Sequence, residues 1–137
     1  MNLIDTSPLV ALFDPADFSH RHGVEILKTI REPIGTTIPV LTEAFHLLSP
    51  GSTGSQRLMD FIKENGLVVW FLNNAMLERA FELMVHYADT PMDFADASLV
   101  VMAETLGVSK IFTIDRTDFA IYRIKRGHKY HAFEVIN

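Results

Sequence analysis

Four acidic residues that could bind a divalent cation are spread along the chain. Asp5 and Asp115 each follow a short apolar run, and Glu43 and Asp96 each lie near the start of a predicted helix. Carboxylate oxygens are the ligands that hard cations such as Mg²⁺ prefer. Carboxylates crowded together without a cation repel one another and raise each other's pKa. If the fold brings these residues together, the chemistry to expect is metal-assisted attack of water on a phosphodiester.

A further acid, Asp93, competes with Asp96 for the role of third acid. The two lie three residues apart, on one face of the predicted helix. Asp93 suits the N-cap position, and Asp96 could simply be a dipole-favoured acid in the first turn. The helix that follows is apolar nearly all round, so an acid at its start faces a crevice. We therefore expect Asp96 to be the ligand and Asp93 to be a cap or outer group.

Two other kinds of site, a di-iron site and a phosphoaspartate site, fit the sequence less well. Glu43 and His46 match the Glu-x-x-His spacing of di-iron bundles, but such sites need two copies and the sequence has one. We expect His46 to pack on its helix or to line the crevice. A phosphoaspartate mechanism would need a nearby lysine, and Lys110 lies at the opposite end of the predicted strand that leads to Asp115.

Short apolar strands alternate with helices along the sequence. The predicted strands are 3–5, 35–38, 67–71, 110–114 and 132–136. A first helix is predicted to begin at Pro8, and the other predicted helices are about 18–31, 39–48, 54–65, 74–88 and 94–106. This alternation predicts an α/β fold with a parallel sheet covered by helices on both faces. Ligands of such sheets bind beyond the carboxyl ends of the strands, where Asp5 and Asp115 lie.

Local signals define several ends of these elements. Ser7 suits the cap of the first helix, with Pro8 at its first position, which would leave Asp5 free for another role. Gly107 is expected to end the helix that begins after Asp93. The run 67–71 is predicted to be a buried strand.

Length and composition indicate one globular domain over residues 1–137. Hydrophobic residues make up 48% of the chain and charged residues 21%, so a real core is expected. The chain has no cysteine, which excludes disulfides and thiolate metal sites. The N-terminus lacks the pattern of a signal peptide, and no apolar run is long enough to span a membrane. We expect a cytoplasmic protein.

The formal net charge of −5 by itself argues against nucleic-acid binding. Bound cations would reverse the local field around a cluster of acids. A basic group near the C-terminus could then contact a phosphate backbone, or it could be a solvated edge. This group comprises Arg116, Arg123, Lys125, Arg126 and Lys129.

Three segments of the chain resemble one known family. They are LIDTSPL at residues 3–9, DASLV at 96–100 and TIDRTDF at 113–119. Their order and spacing resemble PIN domains, and in particular the VapC-type toxins of toxin–antitoxin pairs. Glu43 falls where that family carries its second acid. The resemblance spans essentially the whole chain.

The resemblance implies a three-layer α/β/α fold and a Mg²⁺- or Mn²⁺-dependent ribonuclease. Asp5, Glu43, Asp96 and Asp115 would then be the catalytic and metal-binding acids. It also implies a homodimer and a cognate antitoxin that blocks the site. A PIN-like module that binds RNA or protein without cutting, and a nuclease of RNA processing, remain alternatives. The expected auxiliary residues are Asp93, Asp118, Ser7 and Thr113, and the expected contacts to the RNA backbone are Arg116, Arg123, Lys125 and Arg126.

Overall fold

Five strands form the central sheet of the computed structural model, which describes residues 1–114 and 116–137 except for the side chain of Arg116. The strands of the chain are β1 (Asn2–Ile4), β2 (Ile34–Thr37), β3 (Val68–Trp70), β4 (Lys110–Phe112), β5 (Arg123–Arg126), β6 (Lys129–Ala132) and β7 (Glu134–Ile136). The helices are α1 (Thr6–Phe13), α2 (His20–Thr29), α3 (Ile38–Leu48), α4 (Thr53–Lys63), α5 (Asn74–His86), α6 (Phe94–Leu106) and α7 (Arg116–Ile121).

The central sheet has the strand order β3-β2-β1-β4-β7, and each neighbouring pair is parallel. This confirms the predicted parallel sheet. The chain steps outward from β1 to β2 and β3, then returns to β4 on the other side of β1. The direction of winding therefore reverses between β1 and β4, and the crevice beyond their carboxyl ends is where open α/β sheets bind ligands.

Helices cover both faces of the sheet, as predicted. The crossovers from β1 to β2 and from β2 to β3 run in one direction, whereas the crossover from β3 to β4 runs in the other. Right-handed crossovers therefore place α1–α4 and α5–α6 on opposite faces. In agreement, α1 packs against α2, α3 and α4, while α5 packs against α6. The start of α6 also meets α3, and this contact borders the crevice.

The helix α6 is the most buried helix of the domain, because its side chains are apolar on almost every face. Leu99 and Val100 are fully buried, together with Ile111 and Phe112 of β4. The helix ends at Gly107, whose φ of +68° is left-handed, which confirms the predicted glycine cap. The crevice thus rests on the most rigidly packed part of the core.

The predicted buried strand at residues 67–71 is only partly right. The strand β3 lies at the edge of the sheet, and Val68 and Phe71 are 38% and 73% exposed. A short apolar run does not reveal whether its strand is central or at an edge. None of the helices in the described ranges combines the length and apolar character needed to cross a membrane.

The C-terminal region contains a helix and a hairpin that the sequence did not predict. The short helix α7 precedes β5, which pairs in an antiparallel hairpin with β6 outside the main sheet. Gly127 lies in the turn with a φ of +63°. Both strands are rich in charged residues and lack a clear apolar alternation, so no strand signal was visible there.

The packing of α1 against α4 and α2 predicts different effects for two helical glycines. A Cβ at Gly54 would lie 2.5 Å from the carbonyl oxygen of Phe13, so Gly54→Ala should destabilise the fold by about 1–3 kcal/mol. A Cβ at Gly23 would make only ordinary contacts, the shortest at 3.6 Å to Ala11. Gly23→Ala should therefore be neutral, or stabilising by up to about 1 kcal/mol. Urea unfolding measures both, and a Gly54→Ala variant at least as stable as Gly23→Ala would contradict this packing.

Candidate active site

Asp5 lies directly after β1 and makes hydrogen bonds through both carboxylate oxygens. Its Oδ1 accepts a hydrogen bond from the backbone N–H of Thr6 at 2.8 Å, and its Oδ2 accepts one from the hydroxyl of Thr113 at 3.0 Å. Asp5 is thus the N-cap of α1, and the prediction that Ser7 holds this position is wrong. The error arose because Ser7-Pro8 is itself a good start signal, whereas the helix begins one residue before Ser7.

Ser7 and Thr113, the predicted hydrogen-bonding residues, fasten the ends of β1 and β4 together. The Oγ of Ser7 accepts a hydrogen bond from the backbone N–H of Ile114 at 3.3 Å, and Thr113 is fully buried beside Asp5. The chain that leads to Asp115 is therefore held against the start of α1. Asp115 itself lies outside the described residues, so its assignment stays a prediction.

Asp96 lies in the first turn of α6 and is 8% exposed. Asp93 caps the helix by accepting a hydrogen bond from the backbone N–H of Asp96 at 2.8 Å, and Asp96 accepts one in return from the backbone N–H of Asp93. Asp93 is thus the cap, as expected, and its side chain is exposed whereas that of Asp96 is buried. This favours Asp96 as the ligand.

Tyr122 is a site residue that the sequence analysis missed. Its ring is fully buried between Tyr87 and Phe119, with centroids 5.1 and 5.2 Å away, and its hydroxyl donates a hydrogen bond to Oδ2 of Asp96 at 3.0 Å. Burial and the charge of Asp96 raise the pKa of Tyr122, so the hydroxyl stays protonated and able to donate. A tyrosine in an apolar segment was the available signal, because a buried phenol needs a polar partner.

Burial raises the pKa of both carboxyl groups, to about 6 for Asp5 and to about 8 for Asp96. The charges of Asp93 and Glu43 raise the pKa of Asp5 further, and those of Asp93 and Asp5 raise the pKa of Asp96. Asp5, Glu43, Asp93 and Asp96 therefore form one electrostatically coupled group. Within the described chain, the hydrogen bonds to Asp5 and Asp96 all come from neutral donors.

Glu43 lies in the second turn of α3 rather than in the first, because α3 begins at Ile38. Its side chain is half-buried and lines two grooves, of about 600 and 310 Å³, both of which include Glu43. His46 also lines the larger groove. This agrees with the prediction that His46 packs on its helix or lines the crevice. Glu43 therefore stands where the two grooves join.

Two buried hydroxyls hold α3 and α6 in place beside the acids, and the sequence analysis missed both. The hydroxyl of Ser98 donates to the carbonyl oxygen of Ala95 at 2.6 Å, so that of Thr37 must be the donor in their mutual hydrogen bond at 2.5 Å. Thr37 lies at the N-cap position of α3, but its hydroxyl bonds Ser98 and does not cap the helix. The walls of the larger groove are thereby fixed to each other.

The sequence model of the PIN domain family matches residues 3–126 of this chain. The chain belongs to the PIN domain family. Among curated proteins, it is 28% identical over 131 residues to Ribonuclease VapC26 of Mycobacterium tuberculosis (strain ATCC 25618 / H37Rv), a match that covers 93% of this chain and 96% of that protein. The family was therefore predicted correctly from the sequence.

Solved structures share the fold of this PIN domain at low sequence identity. The crystal structure of Mycobacterium tuberculosis VapC20, a Sarcin-Ricin loop cleaving toxin, gives a TM-score of 0.78 at 19% identity over 85% of this chain and 92% of that chain. A toxin–antitoxin complex from Klebsiella pneumoniae gives a TM-score of 0.68 at 18% identity over 88% and 91%. At these identities the likeness establishes the three-layer α/β/α fold.

Three of the predicted RNA contacts of this PIN domain, Arg123, Lys125 and Arg126, lie along β5. Arg123 directs Nη1 to the carbonyl oxygens that end α7, while Arg126 donates to the carbonyl oxygen of Val108 at 3.0 Å. Val108 follows the far end of α6, a helix of 13 residues and so about 20 Å long, which begins near Asp96. The fold does not bring Arg126 to the acids. Lys125 is exposed between the two arginines, and the side chain of Arg116 lies outside the described residues.

The last predicted auxiliary acid, Asp118, lies in the first turn of α7 and is partly buried. Its charge contributes to the raised pKa of Tyr122, which places it near the hydroxyl that binds Asp96. The fold thus brings Asp118 to the outer side of the acid group. Its auxiliary role stays a prediction.

The donor set of this PIN domain fits a hard divalent cation. Among residues 1–114 and 116–137, no three acidic or histidine side chains already form a group that could hold a metal ion. Mg²⁺ typically uses one or two protein carboxylates and completes its shell with water and substrate phosphate, so a complete protein cage is not required. Asp5 and Asp96 are two such carboxylates, buried beside further acids and bonded only by neutral donors in the described chain.

The raised pKa of Asp96 predicts how the stability of the metal-free domain changes with pH. The folded domain holds a proton on Asp96 up to about pH 8, whereas the unfolded chain loses it near the ordinary value of 3.8. Stability should therefore fall as pH rises between these two values. Asp96→Asn removes the buried charge, so in EDTA its Tm should exceed that of wild type at about pH 8.5, and the difference should narrow at about pH 5.5.

Circular dichroism at the two pH values measures this difference, with Asp89→Asn as the matched control. Asp89 is an exposed carboxylate in the turn that follows α5, so its substitution should leave Tm nearly unchanged at both pH values. An Asp96→Asn effect of equal size at both pH values would show that the charge of Asp96 is not what destabilises the domain.

Proposed function

We propose that this PIN domain is a Mg²⁺- or Mn²⁺-dependent endoribonuclease that acts as the toxin of a toxin–antitoxin pair. The observation that carries the proposal is the pair of buried carboxylates, Asp5 and Asp96, beyond the sheet edge where the winding reverses. Support also comes from the near full-length similarity to Ribonuclease VapC26. The reaction class is hydrolysis of an RNA phosphodiester.

Asp5 and Asp96 would hold the cation, together with Glu43 and the predicted Asp115. When bound, the cation would lower the pKa of a water and offset charge on the phosphate. One or two cations fit this donor set equally well. The cation would also relieve the repulsion that raises the pKa of Asp5 and Asp96.

The remaining residues of the site hold these carboxylates in one orientation. Thr113 and the backbone N–H of Thr6 each bind one oxygen of Asp5, so that its carboxylate plane is fixed. Tyr122 and the backbone N–H of Asp93 both bind Oδ2 of Asp96. Such supporting hydrogen bonds typically account for about 10- to 100-fold in metal affinity or activity.

An antitoxin that covers the acid group is the partner we propose. The shared fold with the toxin–antitoxin complex from Klebsiella pneumoniae supports this partner. We also propose a homodimer, for which Phe81 and Val85 on α5 provide apolar surface, because they are 52% and 77% exposed. A substrate of cellular RNA implies action in the cytoplasm, and contacts to its backbone are proposed for Arg116, Arg123 and Lys125.

Cleavage of a mixed RNA pool by the purified, antitoxin-free protein tests the function. We expect cleavage in Mg²⁺ or Mn²⁺ and none in EDTA, and we expect Asp5→Asn to lose more than about 100-fold, because it removes a ligand rather than an outer partner. Asp89→Asn, which alters an exposed acid, should cut like wild type. Wild-type rates from a folded Asp5→Asn variant would show that the site is wrongly assigned, and an inert wild type would favour a binding module.

Metal binding can be tested without RNA by following the thermal transition. Mg²⁺ or Mn²⁺ should raise the Tm of wild type, because a ligand that binds only the folded state stabilises it by mass action. The rise should disappear in Asp5→Asn and Asp96→Asn and persist in Asp89→Asn. An equal rise in all four proteins would place the cation elsewhere.

A further inference from the structure

Two grooves share Glu43 as a lining residue. The larger one adjoins Asp96, because Asp93, which lines it, accepts a hydrogen bond from the backbone N–H of Asp96. A nucleotide next to a phosphate held at Asp5 and Asp96 can therefore enter the larger groove. The side chains of the grooves therefore decide which part of a neighbouring nucleotide each can accept.

The larger groove combines apolar and polar side chains. Ile38, Pro39, Phe94 and Ala95 are apolar, and Thr42, Glu43, His46 and Asp93 are polar. The smaller groove contains hydroxyl-bearing residues, including Ser7 and Ser19, and two acids, Asp17 and Glu43. Of the two grooves, only the larger is lined by an aromatic ring, that of Phe94. The larger groove is therefore the one in which an unpaired base can stack on a ring.

We propose that the larger groove is a nucleobase site, in which Phe94 and Ile38 stack a base next to the cleaved phosphate and His46 bonds its edge. This inference rests on the proposed function and deepens it. An unpaired base can enter the groove, whereas a base paired within a helix cannot. His46 is exposed at the groove, and its two ring nitrogens can donate or accept hydrogen bonds.

The walls of this groove are held rigid before any ligand arrives. Phe94 is the first residue of α6, packs 6.3 Å from the ring of Phe81, and follows the capping box of Asp93. Ile38 is the first residue of α3 and follows Thr37, which is bonded to Ser98 of α6. A base can therefore stack without the cost of ordering these side chains, which is the condition for efficient recognition.

A cycle that combines a protein change with a base deletion tests the site by cleavage. We expect Phe94→Ala to lower kcat/KM on a short RNA with one mapped cut by about 5- to 150-fold, the range for loss of one base–aromatic stack. An abasic residue beside the cut should cost wild type a similar factor. The two changes together should cost little more than either alone, because they remove the same contact. Additive losses at every abasic position would overturn the proposal.

Matched variants separate stacking from damage to the fold. Phe94→Tyr keeps an aromatic ring and should retain most activity, and Phe71→Ala removes an exposed ring outside the groove and should cut like wild type. Phe94→Ala should keep the Tm rise in Mg²⁺, which shows that the acid group is intact. Unchanged cleavage by a folded Phe94→Ala variant would overturn the base site and leave this groove to a polypeptide.

Binding by an inactive protein distinguishes failure of the base site from failure of the proposed function. Fluorescence anisotropy with Asp96→Asn and a labelled single-stranded RNA should show weaker binding when Phe94→Ala is added or when the base is deleted. Phe94-dependent binding by a protein whose wild type never cuts would sustain the base site and refute the nuclease. If the wild type cuts RNA with metal but binding is unaffected by Phe94→Ala and by the base deletion, the nuclease would be sustained and the base site refuted.

Discussion

Two carboxylates, Asp5 and Asp96, are buried together with only neutral hydrogen-bond donors in the described chain. Desolvation and mutual repulsion oppose their charge, so without a cation the two carboxylates cost folding free energy at neutral pH. The most apolar helix of the domain carries Asp96, and a central strand carries Asp5. The tightly packed core thus supplies the rigidity that holds two like charges in place, and a cation would convert the repulsion into binding.

The placement of the main acids followed from patterns with a direct physical meaning. Asp5 was predictable because the carboxyl ends of parallel strands meet at one edge of a sheet. Asp96 was favoured over Asp93 because the helix after it is apolar all round, and the structure buries the former and exposes the latter. The predicted start of α1 was wrong, because Ser7-Pro8 is a good start signal that lies two residues after the actual N-cap, Asp5.

The supporting residues could not be found in the same way, because their roles depend on contacts between distant segments. Tyr122 binds Asp96 across 26 residues, and Thr37 binds Ser98 across 61. No local periodicity encodes such pairs. The position of Arg126 depends on a hairpin whose strands carry no apolar alternation, and that hairpin directs its guanidinium away from the acids. Proximity in sequence to the other basic residues therefore did not reveal that Arg126 lies away from the acids.

Calorimetric titration of Mn²⁺ into the metal-free protein, in buffers of different ionisation enthalpy, measures affinity and proton release together. If the buried acid group is the cation site, binding near pH 7 should release about one proton, because the cation displaces the proton of Asp96. Asp96→Asn should bind far more weakly and without that release, and Asp89→Asn should behave like wild type. Equal affinity and equal proton release in wild type and Asp96→Asn would contradict the account.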